Sequence, residues 1–193
     1  ATVYDVLTGF KFIGEKIKEW ESSGKHTFMF GYEESYGYLS GTHARDKDAV
    51  VASMLFAEMA CYYTYKNITL YEKLNSLFDK FGYFVESSKS IAFKGLDGME
   101  QMANIMKKFK DTDLTEVAGV PMISKLDLEA GMVKYFDDGR IEMTDLPSAN
   151  VIKYEFGDDE WLCIRPSGTE PKLKIYVSTK AENKQKSLER NEK

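Results

Sequence analysis

Leu162-Cys163-Ile164-Arg165-Pro166-Ser167-Gly168-Thr169-Glu170-Pro171-Lys172-Leu173-Lys174-Ile175-Tyr176-Val177 alternates apolar and other residues on both sides of a loop built from turn formers. Leu162 and Ile164 before the loop, and Leu173, Ile175 and Val177 after it, have the period of two that marks half-buried strands. The stretch therefore reads as two strands presenting the loop 165–171. In the second strand Lys172, Lys174 and Tyr176 share the face opposite the apolar residues. The loop holds a guanidinium, two hydroxyls, a glycine and two proline-restricted bends in seven residues. Pro-Ser-Gly-Thr between strands is ordinary turn chemistry in its own right. The same inventory suits a tetrahedral oxyanion such as a phosphate monoester. Arginine offers a planar fork of donors, while hydroxyls and backbone N–H groups fill the other oxygens. Lys174 is placed to reach back toward whatever the loop holds.

Working outward, the chain beyond Thr112 is strand-like over 120–128, 132–136, 150–156, 160–165 and 172–179. Asp137-Asp138-Gly139-Arg140 and Gly157-Asp158-Asp159 are turns between these runs. The charged end, 182–193, reads as a helix with a solvated face or a frayed tail. Residues 83–93 look extended. Gly95 opens a helix in which Leu96, Met99, Met102, Ala103, Met106 and Phe109 form a core stripe at helical spacing. Upstream, residues 3–8 read as a strand. Phe10, Ile13, Ile17 and Trp20 mark a helix that stops at Ser22-Ser23-Gly24, and 27–30 is a second strand. A long helix follows over 46–67, and Ala49, Val50, Ser53, Met54, Ala57, Met59 and Ala60 predict that it is largely buried. Thr69 is an N-cap, with Glu72 at the capping-box position, for a further helix ending at Gly82. Strand–helix–strand order predicts an α/β part over 1–83, followed by an α+β part with an antiparallel sheet over 84–193.

The 193 residues are 43% hydrophobic, enough for a proper core, and carry a net charge of −5. That balance disfavours a nucleic-acid or membrane-surface binder, which needs a basic face, but leaves room for a local basic pocket. Cys61 and Cys163 read as reduced core residues, and with only His26 and His43 beside them no zinc spacing appears. Nothing reads as a signal peptide or a bilayer-spanning run, so a cytoplasmic location is expected.

A second stretch carries candidate chemistry. In Gly31-Tyr32-Glu33-Glu34-Ser35-Tyr36-Gly37 the extended period puts Glu33 and Ser35 on one face. A carboxylate and a hydroxyl together can bind vicinal hydroxyls of a sugar, although a solvated acidic loop has the same composition. Gly41-Thr42-His43-Ala44-Arg45-Asp46-Lys47-Asp48 then reads as a helix N-terminus, with Asp46 and Asp48 favouring the dipole. Alternatively, whichever of Lys47 and His43 faces the loop is a proton donor or phosphate contact, and a buried lysine near phosphate charge can serve as an acid.

Thr8-Gly9-Phe10-Lys11, the 31–37 loop and the 165–171 loop, in this order and spacing, resemble the α-D-phosphohexomutases, and among them the glucose-phosphate branch. The resemblance implies that the chain starts inside the family's third, α/β domain. It then continues through the fourth, an α+β domain with an antiparallel sheet resembling that of TATA-binding protein. It implies that Glu33 and Ser35 grip sugar hydroxyls and that Thr8 and Gly9 line the sugar. Arg165, Ser167, Gly168 and Thr169 would hold the phosphate that is not transferred, with Lys174 at a basic position. It assigns Lys47 a general acid/base role, with His43 left open as the alternative. The family's phosphoserine loop and its Asp-rich magnesium loop have no counterpart here, and Asp137-Asp138-Gly139-Arg140 reads as a hairpin turn. The resemblance thus implies Mg2+ held outside this chain, glucose 1,6-bisphosphate as intermediate and activator, and the N-terminal half of the same polypeptide as partner. The parent enzyme would interconvert glucose 1-phosphate and glucose 6-phosphate, and this stretch alone would be inactive. Other readings are the mannose- or pentose-phosphate branches, a non-catalytic phospho-ligand module, and a nucleic-acid binder suggested only by the fold type of the last domain. No nucleic-acid or membrane partner is expected.

Overall fold

The computed structural model describes residues 1–33, 36–95, 97–168 and 170–192. The chain divides into two compact units, Ala1–Asn75 and Ser76–Lys193, and each is described by itself.

In the first unit, residues 1–7 form no regular element, against the strand expected over 3–8. A strand needs a partner ladder, and among the described residues none pairs with this segment. It is held by side chains instead. The Tyr4 hydroxyl lies 2.7 Å from His26 Nε2, and its ring packs 5.0 Å from that of Trp20. Helix α1 (Phe10–Ser23) follows Gly9 and closes on Gly24, whose left-handed backbone turns its N–H onto the Trp20 carbonyl. Phe10 and Ile17 of α1 form a small core with Leu39, flanked by Ile13, Phe28 and Ala44. Strands β1 (Phe30–Tyr32) and β2 (Tyr38–Ser40) make an antiparallel hairpin in which Gly31 faces the fully buried Leu39. The strand expected over 27–30 thus lies further along the chain, because pairing with 38–40 selects Phe30–Tyr32.

Helix α2 (Ala49–Tyr65) is capped by Asp48, whose carboxylate accepts from the N–H groups of Val50 and Val51. The expectation that it is largely buried is corrected: none of its residues is buried. Val50, Met54, Phe56, Met59, Tyr62 and Tyr65 are exposed, as is Cys61, which is therefore not a core cysteine. The helix is apolar on every side, and among the described residues it packs chiefly along β2. Helix α3 (Leu70–Phe81) runs across the division between the units. Its start is the expected capping box, with Thr69 N–H donating to Glu72 at 2.7 Å and Glu72 N–H donating to Thr69 Oγ1 at 3.1 Å. Gly82 follows the helix with a φ of 101°.

After the end of α3 the second unit continues with β3 (Tyr83–Ala92) and α4 (Gly98–Asp111). A two-stranded ribbon follows, β4 (Glu116–Val117) with β5 (Val120–Pro121). Then come β6 (Ser124–Asp127), β7 (Met132–Tyr135), β8 (Ile141–Met143), β9 (Ile152–Glu155), β10 (Trp161–Pro166), β11 (Lys172–Ala181) and α5 (Lys184–Glu192). Seven strands form one sheet in the order β3-β11-β10-β9-β6-β7-β8, every neighbouring pair antiparallel. An α/β unit followed by an α+β unit with an antiparallel sheet is the class the sequence predicts. The single strand expected over 120–128 breaks, because Met122 N–H turns to the Thr115 carbonyl while Ile123 N–H joins Glu155.

Met102 and Met106 of α4 pack on Ile152, Tyr154, Ile164 and Leu173 of the sheet. Met99 and Ala103 are exposed, so the core stripe of α4 is narrower than its spelling suggests; Leu96 lies outside the described residues. The other end of α4 is closed by Lys125, 6% exposed, whose ammonium donates to the carbonyls of Lys110 (2.6 Å) and Thr112 (3.1 Å). These carbonyls lie where an α-helix leaves acceptors unpaired, and a cation suits that end of the dipole. Burial pushes the Lys125 pKa below its ordinary value.

Helix α5 is attached through polar contacts. The buried Ser187 and Thr179 exchange hydrogen bonds, Thr179 Oγ1 donating to the Ser187 carbonyl at 2.9 Å and Ser187 Oγ to the Thr179 carbonyl at 3.0 Å. Glu160, 5% exposed, accepts from Arg190 at 2.6 Å and from Lys180 N–H at 2.8 Å. Removing this carboxylate leaves the Lys180 N–H without its acceptor and breaks the charge-assisted bond to the partly exposed Arg190, so Glu160→Ala should lower unfolding stability by about 1.5–3 kcal/mol. An unchanged denaturant midpoint would show that the α5 attachment does not rest on Glu160.

Candidate functional site

The 165–171 loop is held by the pairing of its flanks. In the β10–β11 register Ile164 faces Ile175, Arg165 faces Lys174 and Pro166 faces Leu173. Directly opposed residues share a face, so Arg165 and Lys174 project together on the side away from the buried Ile164 and Leu173. Ser167 N–H closes the hairpin onto the Lys172 carbonyl at 2.8 Å, and the Pro171 carbonyl accepts from Phe93 N–H at 2.8 Å, tying the loop to the end of β3. A Cβ placed on Gly168 would meet no atom within 4 Å, so that flank of the loop is open. Thr169 lies outside the described residues.

The neighbouring charges on this face are mostly paired. Lys172 binds Glu170 at 2.7 Å, and Lys153 binds Glu155 at 2.8 Å. Lys172 thereby holds the Glu170 carboxyl below the ordinary glutamate value. Among the described residues, the side chains of Arg165 and Lys174 make no hydrogen bond or ion pair, though the charge of Lys174 adds to that of Lys172 in holding Glu170 ionised. Two like charges directly opposed across a β-ladder are unfavourable, and an anion seated between them would remove that penalty. Cys163, one step down β10, is half-buried. Burial raises its thiol pKa, with Lys153 and Arg165 pulling the other way.

The first unit carries the acidic-loop candidates. Glu33 N–H bonds to the Gly37 carbonyl at 2.9 Å, which closes the β1–β2 hairpin. The Glu33 side chain is only 12% exposed, with Lys47 Nζ 3.8 Å from its Oε2. Lys47 also donates to Asp46 at 2.9 Å and stands 5.5 Å from the centre of the Phe10 ring. Its stem runs across Gly37. A Cβ there would come within 2.7 Å of Lys47 Cγ and 3.0 Å of Glu33 Oε2, so glycine at this position leaves room for the lysine stem beside the glutamate. The Lys47 side chain is 48% exposed rather than buried, and Asp46, with a smaller contribution from Glu33, raises its pKa. At neutral pH it is an ammonium, able to give a proton or bind an anion.

His43 lies 2.8 Å from the capping carboxylate of Asp48. Gly9, at a φ of 127°, sets the turn from Thr8 into α1, which begins with the Phe10 ring under Lys47. Glu34 and Ser35 lie outside the described residues. Thus Glu33 and Lys47 meet around Phe10 and Gly37, with Gly9 preceding Phe10 in the chain, whereas Arg165, Ser167, Gly168 and Lys174 gather on the β10–β11 hairpin. Phe10, Gly37 and Asp46 were not singled out as site groups in the sequence. Asp46 was detectable as the neighbour of Lys47, but the packing roles of Phe10 and Gly37 needed three-dimensional contacts. Among the described residues no three His, Cys, Asp or Glu side chains converge to hold a metal ion. Nor is any helix long and apolar enough to cross a membrane.

A helical and hairpin unit followed by an α+β sheet unit matches two models of one family. That for phosphoglucomutase/phosphomannomutase alpha/beta/alpha domain III matches residues 1–81, and that for the phosphoglucomutase/phosphomannomutase C-terminal domain matches residues 97–191. The chain belongs to the phosphoglucomutase/phosphomannomutase family. It is 33% identical over 181 residues to a phosphoglucomutase of Staphylococcus saprophyticus, covering 94% of this chain and 33% of that relative. It is 37% identical over 174 residues to a phosphoglucomutase of Staphylococcus epidermidis, covering 90% and 31%. The crystal structure of Paramecium parafusin, a phosphoglucomutase in its open form, superposes with a TM-score of 0.59 at 20% identity, over 95% of this chain and 31% of that one, a likeness of fold. The chain spans about a third of the length of these relatives.

The Asp48 cap yields a pH dependence. The hydrogen bond from His43, then the N–H groups of Val51 and Val50, hold its pKa below the ordinary aspartate value. A depressed carboxyl contributes stability above its unfolded pKa and loses it as pH falls through the folded one. Amide-exchange protection at Val50 and Val51, corrected for intrinsic rate, should persist below the usual aspartate range and then collapse. Asp48→Asn should make that protection independent of pH there, whereas an identical acid transition in the variant would remove Asp48 as its cause.

Proposed function

We propose that this chain is the substrate-binding part of a phosphoglucomutase that interconverts glucose 1-phosphate and glucose 6-phosphate through a bisphosphorylated sugar. The observation that carries the reading is the direct opposition of Arg165 and Lys174, two cations whose side chains make no hydrogen bond or ion pair among the described residues, beside a loop that carries hydroxyl groups. Arg165 with Ser167, Gly168, Thr169 and Lys174 would hold the phosphate that stays in place. Glu33 and Ser35 would hold sugar hydroxyls, with Thr8 and Gly9 lining the sugar. Lys47, held as an ammonium by Asp46 and Glu33, would protonate or steady the reacting oxygens. Phosphoryl transfer also needs a phosphate carrier and a metal to neutralise developing charge. We assign these, with the Mg2+ site, to the remainder of the polypeptide, and glucose 1,6-bisphosphate to the intermediate that also activates the enzyme. The glucose preference rests on the phosphoglucomutase relatives. A cytoplasmic location accords with phosphorylated hexose as substrate.

Two outcomes test this reading. The 193-residue chain alone should show no mutase turnover, and activity above background would contradict the division of labour. In the full-length protein Arg165→Ala should raise the KM for glucose 1-phosphate roughly tenfold to hundredfold, about 1.5–3 kcal/mol for a charge-assisted contact. Unchanged KM and kcat would overturn the phosphate assignment.

A further inference from the structure

Strand β3 is the edge strand beside β11, and its register places Ser90 directly opposite Lys174. Since Lys174 is itself opposite Arg165, the residues Arg165, Lys174 and Ser90 form one transverse row across three strands, all on the same face. At about 4.8 Å between neighbouring strands the row is roughly 10 Å wide. On the hairpin side, the next row of this face has Ala92 opposite Lys172, the lysine paired with Glu170. On the other side, Ser88 lies opposite Tyr176 and Tyr176 opposite Cys163. The carboxylate on this face of β3, Glu86, is one row further still, opposite Ser178. Beside the cation pair, then, β3 presents hydroxyls rather than acids. A carboxylate at position 90 would neutralise Lys174, whereas a hydroxyl leaves both positive charges to an incoming anion and adds a donor of its own. Ser90 is exposed, and among the described residues its side chain makes no hydrogen bond.

We propose that Ser90 is a third member of the phosphate cradle, its Oγ–H donating to an oxygen of the hexose phosphate that Arg165 and Lys174 hold. This rests on the phosphate assignment made above. Arginine takes two oxygens through its fork, lysine supplies a point charge from the central strand, and serine closes the row from the edge strand. The contact is one of binding, and no bond is made or broken at Ser90.

The test uses the full-length protein, with glucose 1-phosphate as substrate and inorganic phosphate as a competing ligand. Ser90→Ala should raise the KM for glucose 1-phosphate and the inhibition constant of inorganic phosphate together, each roughly fivefold, while kcat changes less. Ser90→Thr keeps the hydroxyl and should restore both constants. Ser90→Asp, which sets a carboxylate beside Lys174, should raise both further than Ser90→Ala does. Ser88→Ala, one row away, should leave them unchanged, and the melting midpoints of all four variants should match the parent. If Arg165→Ala impairs phosphate binding while Ser90→Ala and Ser90→Asp do not, the role of Ser90 is overturned and the phosphate assignment stands. If Arg165→Ala also leaves both constants unchanged, the assignment itself fails.

Discussion

The antiparallel pairing of Trp161–Pro166 with Lys172–Ala181 is the constraint from which the second unit is built. A strand's side chains alternate between faces, so one register settles two things together. It sends Ile164 and Leu173 under α4 into the core with Met102 and Met106, and it lifts Arg165 and Lys174 to the opposite face. A slip of one residue would exchange them, burying the cations and exposing the apolar side chains. Packing energy on one face therefore holds two mutually repelling charges in place on the other. The core enforces an electrostatic arrangement that the charges would not choose themselves, and the arrangement favours an anion above the row.

In the first unit a smaller set of contacts plays the corresponding part. Gly37 allows the Lys47 stem to lie against the hairpin loop, Phe10 supports it from below, and Asp46, with a smaller contribution from Glu33, raises its pKa. Asp48, two residues from Asp46, anchors the same segment through its cap on α2 and its contact with His43. A hairpin, a helix start and a helix cap converge on one ammonium and one largely covered carboxylate.

Much of this was legible in the sequence because it is local. The alternation around 162–177 announced β10 and β11 and assigned their faces, Thr69 and Glu72 announced a capping box that is present in full, and Asp137–Arg140 announced the β7–β8 turn. What the sequence obscured depends on partners distant along the chain. Residues 3–8 have strand composition but pair with no strand among the described residues. Ala49–Tyr65 has the composition of a buried helix, yet none of its residues is buried among those described. The break between β5 and β6 arises because Met122 N–H finds Thr115. Arg165 and Lys174 could be named from spelling. Their direct opposition, and the presence of Ser90 in the same row, follow only from register across strands far apart in sequence.

The most direct test of the account is a crystal structure of the full-length protein with glucose 6-phosphate or glucose 1-phosphate bound. The account predicts the phosphate seated above the Arg165–Lys174 row, with a guanidinium nitrogen within hydrogen-bond distance of its oxygens. A ligand whose phosphate is held elsewhere, with Arg165 and Lys174 facing solvent or another protein surface, would contradict it.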